Sequence, residues 1–578
     1  MEITEKKELT VEKMLKKAVL CALDSQYVHT NLAVFYLKSY ADKHAAFSCE
    51  ILEGTVNEPE KRFFDALCAK EPDIVAFSAY IWNIGEIKAL CARLRERFPA
   101  LPILLGGPEV TFNPEPYLAD GTCDFILRGE GEIPFTKLCD ALAGEKAIPE
   151  NCGICYVRKE DGQTVLSEPY VCMDLSELES PYTPEYLAKL PGRIAYMEAS
   201  RGCPFSCAFC LSGACHGVRN FPLDYVKHAI LLLWRSGVKT VKFIDRTFNA
   251  DRKRAEEILR FILENYPNEP EVSFHFEIAA DKLSETILTL LENAPRGLFQ
   301  LEAGLQSFKP ETLKAVARHT DLEKLCENVR RLVSSGRAHV HVDLIAGLPY
   351  EGFDSFRDSV DKAYALGAAM LQLGFLKLLY GSALRDSADE YGYVFDEKPP
   401  YEIRSTAWLS EKEMAVLHEV EDACDRLHNS GRFCKTLAYV LKTTGFRPFD
   451  LFRAFGKKPS MPLDEYTALA FEFFASLDDI DRNVLRDLMC RDRLHSNRSG
   501  RLPACLKIKD ARLAAVSASL AAMPLHAPKE HMRRTVCLLY SEKTVVYADY
   551  PMDSGAKNRF DGGAELHELP FDRFSVLS

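Results

Sequence analysis

The chain has 578 residues, 47% apolar and 27% charged, with 19 cysteines and a formal net charge of −12. That length exceeds what one core can hold and predicts several domains, while the acidic balance excludes non-specific binding of polyanions as the main activity. The N-terminus is polar and mixed in charge, and no later apolar run is long enough to span a bilayer, so a cytoplasmic protein with reduced thiols and no membrane partner is expected.

Residues 1–146 alternate short apolar strands with amphipathic helices, the pattern of a doubly wound parallel sheet. Expected strands are Ala18–Leu23, Cys49–Glu53, Ile74–Ser78, Ile103–Leu105 and Phe125–Leu127. In such a sheet the ligand crevice lies beyond the carboxyl ends of the strands. Ser78, Tyr80 and Asn83 follow the third strand, Gly106-Gly107-Pro108-Glu109 the fourth, and Arg128-Gly129-Glu130-Gly131-Glu132 the fifth. Glycines at two successive strand ends let the backbone approach a bulky ligand without a Cβ in the way. His29, in the first loop, reads as a histidine making ordinary hydrogen bonds. Residues 147–190 form a polar, Pro-containing linker. Its Cys152 and Cys155 have no matching pair and run into a hairpin turning at Lys159 to Gly162, which argues against metal ligation.

A second βα series occupies residues 191–385, with strands expected at Ile194–Glu198, Thr240–Ile244, Val272–Ile278, Leu298–Ala303, His339–Ile345 and Met370–Lys377. Six such units make a partial barrel, whose active residues belong at the C-terminal strand ends and the loops after them. After the first strand comes Arg-Gly-Cys-Pro-Phe-Ser-Cys-Ala-Phe-Cys, placing Cys203, Cys207 and Cys210 at Cys-x3-Cys-x2-Cys spacing. Three thiolates so close can hold three irons of a [4Fe–4S] cluster and leave the fourth open. A closed zinc site would need a fourth ligand, for which Cys215 and His216 stand nearby.

The triplet, with the aromatic Phe209 before its last cysteine, resembles the radical S-adenosylmethionine (SAM) superfamily. The paired glycine turns ahead of it resemble the cobalamin-binding domain that precedes many radical SAM cores. This resemblance implies a fold of three parts: an N-terminal Rossmann-like cobalamin-binding domain, a partial (β/α)6 radical SAM barrel, and a mostly helical C-terminal extension at 386–578. It implies a [4Fe–4S] cluster on Cys203, Cys207 and Cys210 that binds SAM and cleaves it to a 5′-deoxyadenosyl radical. SAM contacts are implied for Phe209, Asp245, Thr247, Glu277, Glu302, Gln306, Gly347 and Leu348. Cobalamin contacts are implied for Ser78, Tyr80, Asn83, Gly106, Gly107, Pro108, Glu109, Gly129, Glu130 and Gly131. The Asp-x-His-x-x-Gly motif of the methionine-synthase type is missing, so no protein histidine is expected below the cobalt. Gly347-Leu348-Pro349-Tyr350-Glu351 carries Tyr350 where the related turn has glycine, a change that bears on the backbone there.

The implied activity is methylation of an unactivated carbon in a small molecule, with electrons from a flavodoxin or ferredoxin. Rival readings keep cobalamin without methyl transfer (rearrangement, cyclisation or oxidation), or keep the fold without cobalamin. A methylthiotransferase acting on RNA or protein would need three further cluster cysteines, and Cys21, Cys49, Cys68, Cys91 and Cys123 show no such arrangement. A non-catalytic binding module would leave the cysteine triplet without a purpose. In the C-terminal extension, nine basic residues in the stretch Asp481 to Arg512 outnumber four aspartates. They read either as a grip on a phosphate or RNA or, the favoured reading, as a solvated helix face with Arg–Asp pairs.

Overall fold

A computed structural model describes residues 16–144, 146–214, 217–269, 271–496, 501–522, 532–551 and 564–577. Cys215, His216 and Arg498 lie outside the described residues.

The first sheet is built from β1 (Lys17–Asp24), β2 (Ser48–Thr55), β3 (Ile74–Ser78), β4 (Ile103–Gly106), β5 (Phe125–Leu127), β6 (Ile154–Val157) and β7 (Thr164–Val165), in the order β2-β1-β3-β4-β5-β6-β7. β1 to β5 are parallel, and β6 and β7 add antiparallel to the β5 edge. The stretch read as a linker therefore extends the sheet and covers an edge that would otherwise expose unpaired amides. Along β1, Ala18, Leu20 and Ala22 face one layer and Val19, Cys21 and Leu23 the other. The first of these layers is continuous with the core of the barrel that follows, so the two domains are joined by shared apolar packing. The order 2-1-3-4-5 reverses direction between β1 and β3, and a crevice opens there because the connections leave toward opposite faces.

The second parallel sheet contains β8 (Ile194–Met197), β11 (Thr240–Phe243), β12 (Ser273–Ile278), β13 (Phe299–Gln306), β14 (His339–Ala346) and β15 (Met370–Phe375). A short hairpin, β9 (Ser200–Cys203) with β10 (Gly217–Asn220), carries the cysteine loop. Alternation sends Val241, Phe243, Phe274, Phe276, Leu301 and Leu305 outward against the helices, where Trp234 meets Phe274 edge-on at 4.9 Å. The opposite face of the same strands is polar.

The extension closes the open side of this barrel. Asn429, in a π-helical turn Asp425–Asn429, accepts from the Leu371 amide of β15 at 2.8 Å and donates to its carbonyl at 2.9 Å. Next to it, β16 (Val394–Phe395) and β17 (Ile403–Ser405) pair with each other, and the chain at Tyr401–Ile403 bonds to Leu376 and Leu378 beyond β15. The described residues end in a three-stranded antiparallel sheet, β18 (Met532–Leu539), β19 (Thr544–Pro551) and β20 (His567–Pro570).

The arginine-rich run divides in two. Arg482, Arg501, Lys507, Lys509 and Arg512 are exposed, as the solvated reading expects, and Arg512 pairs with Asp510 at 2.8 Å. On the helix Arg482–Ser496, however, Arg486, Arg491 and Arg493 are buried. Arg486 donates to Asp487 and to the carbonyls of Leu506 and Leu538; Arg491 pairs with Glu542 and Glu568, and Arg493 with Asp464. The aspartates serve locally too: Asp492 accepts from the amides of Lys435 and Thr436. The three buried arginines form an internal frame tying this helix to the terminal sheet. Arg486→Ala should therefore cost about 3–5 kcal/mol of stability, because it strands a buried carboxylate and two carbonyls. Arg482→Ala, at an exposed pair with Glu472, should cost less than about 1 kcal/mol. Thermal melts in which both variants match the parent would contradict this account.

Candidate active site

A cavity of about 660 Å³ lies between the carboxyl ends of β1, β3, β4 and β5 and the mouth of the barrel, at the switch point of the first sheet. Its sheet side is lined by Asp24, His29, Asn31, Ser78, Tyr80, Trp82 and the glycines 106, 107, 129 and 131. Its barrel side is lined by Tyr196, Glu198, Ser200, Arg201, Gly202, Lys242, Arg246 and Glu277. The two glycines after β4 differ in purpose. At Gly107, with φ +113°, a Cβ would meet the Ala79 carbonyl at 2.5 Å, so glycine is required by the turn itself. A Cβ at Gly106 would meet only Leu127, at 3.7 Å, so its missing side chain leaves room in the cavity. Tyr80 and Trp82 stack at 4.2 Å and form an aromatic wall.

Several expected contacts are turned to other work. Asn83 is fully buried: its side-chain oxygen accepts from the Tyr80 amide, and its nitrogen donates to Leu23 and Ser78 carbonyls, tying β1 to the loop after β3. Pro108 starts a short helix, Pro108–Thr111, and is not among the residues lining the cavity. Glu109 points away from it to accept from the hydroxyls of Tyr117 and Tyr401, and burial pushes its pKa up. His29 lines the cavity, but its Nδ1 lies 2.6 Å from the Tyr196 hydroxyl. Asp24, buried beside Glu53, has its pKa pushed up to about 7 even though Arg193 stands 3.6 Å away.

Two arginines lock the domains together around this space. Arg201, two residues before Cys203, pairs with Glu132 at 2.6 Å, Glu198 at 2.9 Å and Glu130 at 3.3 Å. Glu130 also pairs with Arg219; burial alone would raise its pKa, and the two guanidinium groups hold it below the ordinary value. Arg193 donates to the Tyr27 and His29 carbonyls and faces Glu53 at 3.3 Å. Glu130 thus lines the cavity while its carboxylate is committed to the domain interface.

The cysteine loop is fixed at both flanks. Ala208 donates to the Val316 carbonyl and accepts from the Leu384 amide, both at 3.0 Å. Cys203 Sγ lies 3.5 Å from Thr247 Oγ1, and Cys207 Sγ lies 3.9 Å from Arg318, which also donates to the Gly304 carbonyl at 2.6 Å. Burial raises the Cys207 pKa against the pull of Arg318; bound iron would draw out the thiolate. Phe209 is half-buried against the core. Asp245 accepts from the Ala199 amide and the Ser200 hydroxyl, which ties β11 to the cysteine hairpin, and burial lifts its pKa to about 6. Gln306, at φ +69°, has a buried Oε1 with no partner in the protein. Glu302 turns inward to His275 and Lys242.

The turn after β14 is held by the extension. Leu348 is fully buried, a Cβ at Gly347 would overlap Ile403, and Tyr393 donates to the Gly347 carbonyl at 3.0 Å. Tyr350 keeps the left-handed backbone that glycine would adopt, with φ +66°, and its ring packs on Trp408 at 4.7 Å. Arg318 and Arg201 carried no role in the sequence reading. Arg318 belongs to no spaced motif, and two of the three partners of Arg201, Glu130 and Glu132, are 69 residues or more away after β5.

These features define a radical SAM barrel with a cofactor-binding sheet packed over its mouth. Residues 19–139 match the B12 binding domain, residues 197–363 the radical SAM superfamily, and residues 389–523 a protein of unknown function, DUF4080. The three matches together give one chain a B12-binding domain, a radical SAM domain and a DUF4080 region, in that order. The radical SAM match implies SAM and a [4Fe–4S] cluster, and the B12 match implies cobalamin. An uncharacterized methyltransferase of Pyrococcus horikoshii is 27% identical over 49% of this chain and 61% of its own length. The cobalamin-dependent radical SAM methyltransferase TokK of Streptomyces tokunonensis is 24% identical over 59% of this chain and 52% of its own. The chain thus spans little more than half the length of these curated relatives. The fold is that of OxsB, a cobalamin-dependent SAM radical enzyme solved with aqua-cobalamin and SAM bound, with a TM-score of 0.60 at 16% identity over 89% of this chain and 82% of that one.

The cavity yields a direct check. Gly106→Leu fills the space without a backbone clash, so it should lower cobalamin retention after gel filtration at least tenfold, about 1.4 kcal/mol, while iron content stays at the parent level. Unchanged retention would place the corrin elsewhere.

Proposed function

We propose that this protein is a cobalamin-dependent radical SAM enzyme that methylates an unactivated carbon of a small molecule, working in the cytoplasm with electrons from a flavodoxin or ferredoxin. One observation carries the reading: a single cavity is bounded on one side by the glycine turns of the B12-type sheet and on the other by the residues that lead into Cys203. When bound, the cluster with SAM supplies a 5′-deoxyadenosyl radical and cobalamin supplies a methyl carrier.

The protein's part is to hold and to exclude. Cys203, Cys207 and Cys210 supply the thiolates. Arg318 and Thr247 sit beside two of them and limit the charge they build up in a dry site. Gln306, with its free amide oxygen, and Glu277, at the mouth, offer acceptors to a polar ligand such as SAM. The Arg201 clamp keeps the sheet seated on the barrel, so a reactive carbon radical meets substrate rather than water. Methyltransferase relatives, and a cobalamin-dependent structural neighbour that aligns with 89% of this chain, support this reading. The eighteen described cysteines are all free thiols, which suits a reducing compartment.

Anaerobic reconstitution tests it. With reductant, cobalamin and SAM, the parent should form both S-adenosylhomocysteine and 5′-deoxyadenosine. The Cys203→Ala/Cys207→Ala/Cys210→Ala variant should lose iron and 5′-deoxyadenosine. 5′-Deoxyadenosine without S-adenosylhomocysteine would replace methyl transfer by a rearrangement or oxidation, and full iron in the triple variant would overturn the cluster assignment.

A further inference from the structure

The inner face of the barrel is the least expected surface in the molecule. Barrel interiors are normally filled by layers of branched apolar side chains. Here the strand register places Lys242, His275, Gln300 and His339 in one layer, with Glu277, Glu302 and His341 in the next and Asp343 above them. These side chains are wired to one another. His275 Nε2 lies 3.0 Å from Glu302, Lys242 stands 3.6 Å from the same carboxylate, and His341 Nε2 lies 2.7 Å from His339 Nδ1. Lys242 and Glu277 also line the large cavity, so the polar layers meet the space beneath the glycine turns at these two residues.

Two atoms in this well have no partner in the protein, the buried Nε2 of Gln300 and the buried Oδ1 of Asp343. Buried polar atoms left unpaired cost about 1–3 kcal/mol each, and native structures keep few of them. One is a donor and the other lies on a group whose pKa burial pushes up, with Glu302 and Glu277 adding to the shift. A chain retaining both has a use for them.

We propose that this well is the substrate site, and that it takes a small, uncharged, hydroxyl-rich molecule of the polyol or monosaccharide type. The wall offers donors and acceptors around its circumference, which only a ligand carrying both can satisfy. Its charge is balanced, since Lys242 faces the Glu302 carboxylate and Arg246 stands near Glu277. Burial keeps His339 and His341 neutral, with pKa values of about 4 and about 3. An apolar substrate would leave Gln300 and Asp343 unpaired. A phosphorylated one would meet the carboxylates of Glu277 and Glu302, against which the nearby cations Arg246 and Lys242 are already set. The assignment rests on the proposed function only in supposing that the barrel holds the substrate.

Binding can be measured apart from catalysis. Saturation-transfer NMR on the cluster- and cobalamin-loaded protein should show saturable binding of myo-inositol or D-glucose, with no competition from glucose 6-phosphate or n-octanol. Gln300→Leu, checked for unchanged iron and cobalamin, should weaken that binding about tenfold. His341→Phe serves as a second variant if the first is unstable. Binding of neither neutral probe, preference for the phosphate or the alkyl alcohol, or equal binding by a folded well variant would overturn the proposal. A protein that binds the polyol but cleaves no SAM contradicts the enzymatic reading alone. A protein that cleaves SAM but binds no polyol contradicts the well alone.

Discussion

The arrangement hangs on one buried ion cluster, Arg201 with Glu130, Glu132 and Glu198. Arg201 belongs to the hairpin that carries the cysteines, and two of its three carboxylates belong to the turn after β5 of the first sheet. Removing Arg201 would leave Glu132 and Glu198 uncompensated in a low-dielectric interface, which is costly in a way that losing an exposed pair is not. The constraint fixes the distance between the glycine turns and the cysteine loop, and that distance is what makes one cavity out of two domain surfaces. Shared apolar packing under β1 supplies the adhesion; the charges supply the register.

The extension acts on the same space from the other side. Tyr393, Ile403 and Trp408 hold the turn Gly347 to Tyr350, while Leu384, just before the extension, holds the cysteine loop at Ala208. Trp408 explains how a tyrosine occupies a backbone position that favours glycine: stacking against it offsets part of the strain of a left-handed conformation. The DUF4080 segment thus behaves as a wall of the barrel. It covers the β15 edge through Asn429 and closes the side that six strands leave open.

What the sequence made legible was local. The cysteine spacing, the glycine turns and the strand ends each follow from rules spanning a few residues, and the cavity is lined where those rules point, at Ser78, Gly106, Gly129 and Glu277. What it hid depends on burial and on partners far away in the chain. Glu109 sits in the expected turn yet faces Tyr401, 292 residues away. Arg486, Arg491 and Arg493 look like a solvated or nucleic-acid-binding face until the terminal sheet packs over them. The polar layers of the barrel are hidden for the same reason: the alternating His339, His341 and Asp343 of β14 have no meaning until Glu302 and His275 come alongside.

The central claim is that cobalamin and the cluster face each other across one cavity. Electron paramagnetic resonance of the reduced, cobalamin-loaded protein tests it most directly. The account predicts a magnetic interaction between the cobalt(II) and cluster signals that disappears in the Cys203→Ala/Cys207→Ala/Cys210→Ala variant, where the cobalt signal remains. Two undisturbed signals that simply superimpose would contradict it, because they would place the two centres in separate compartments.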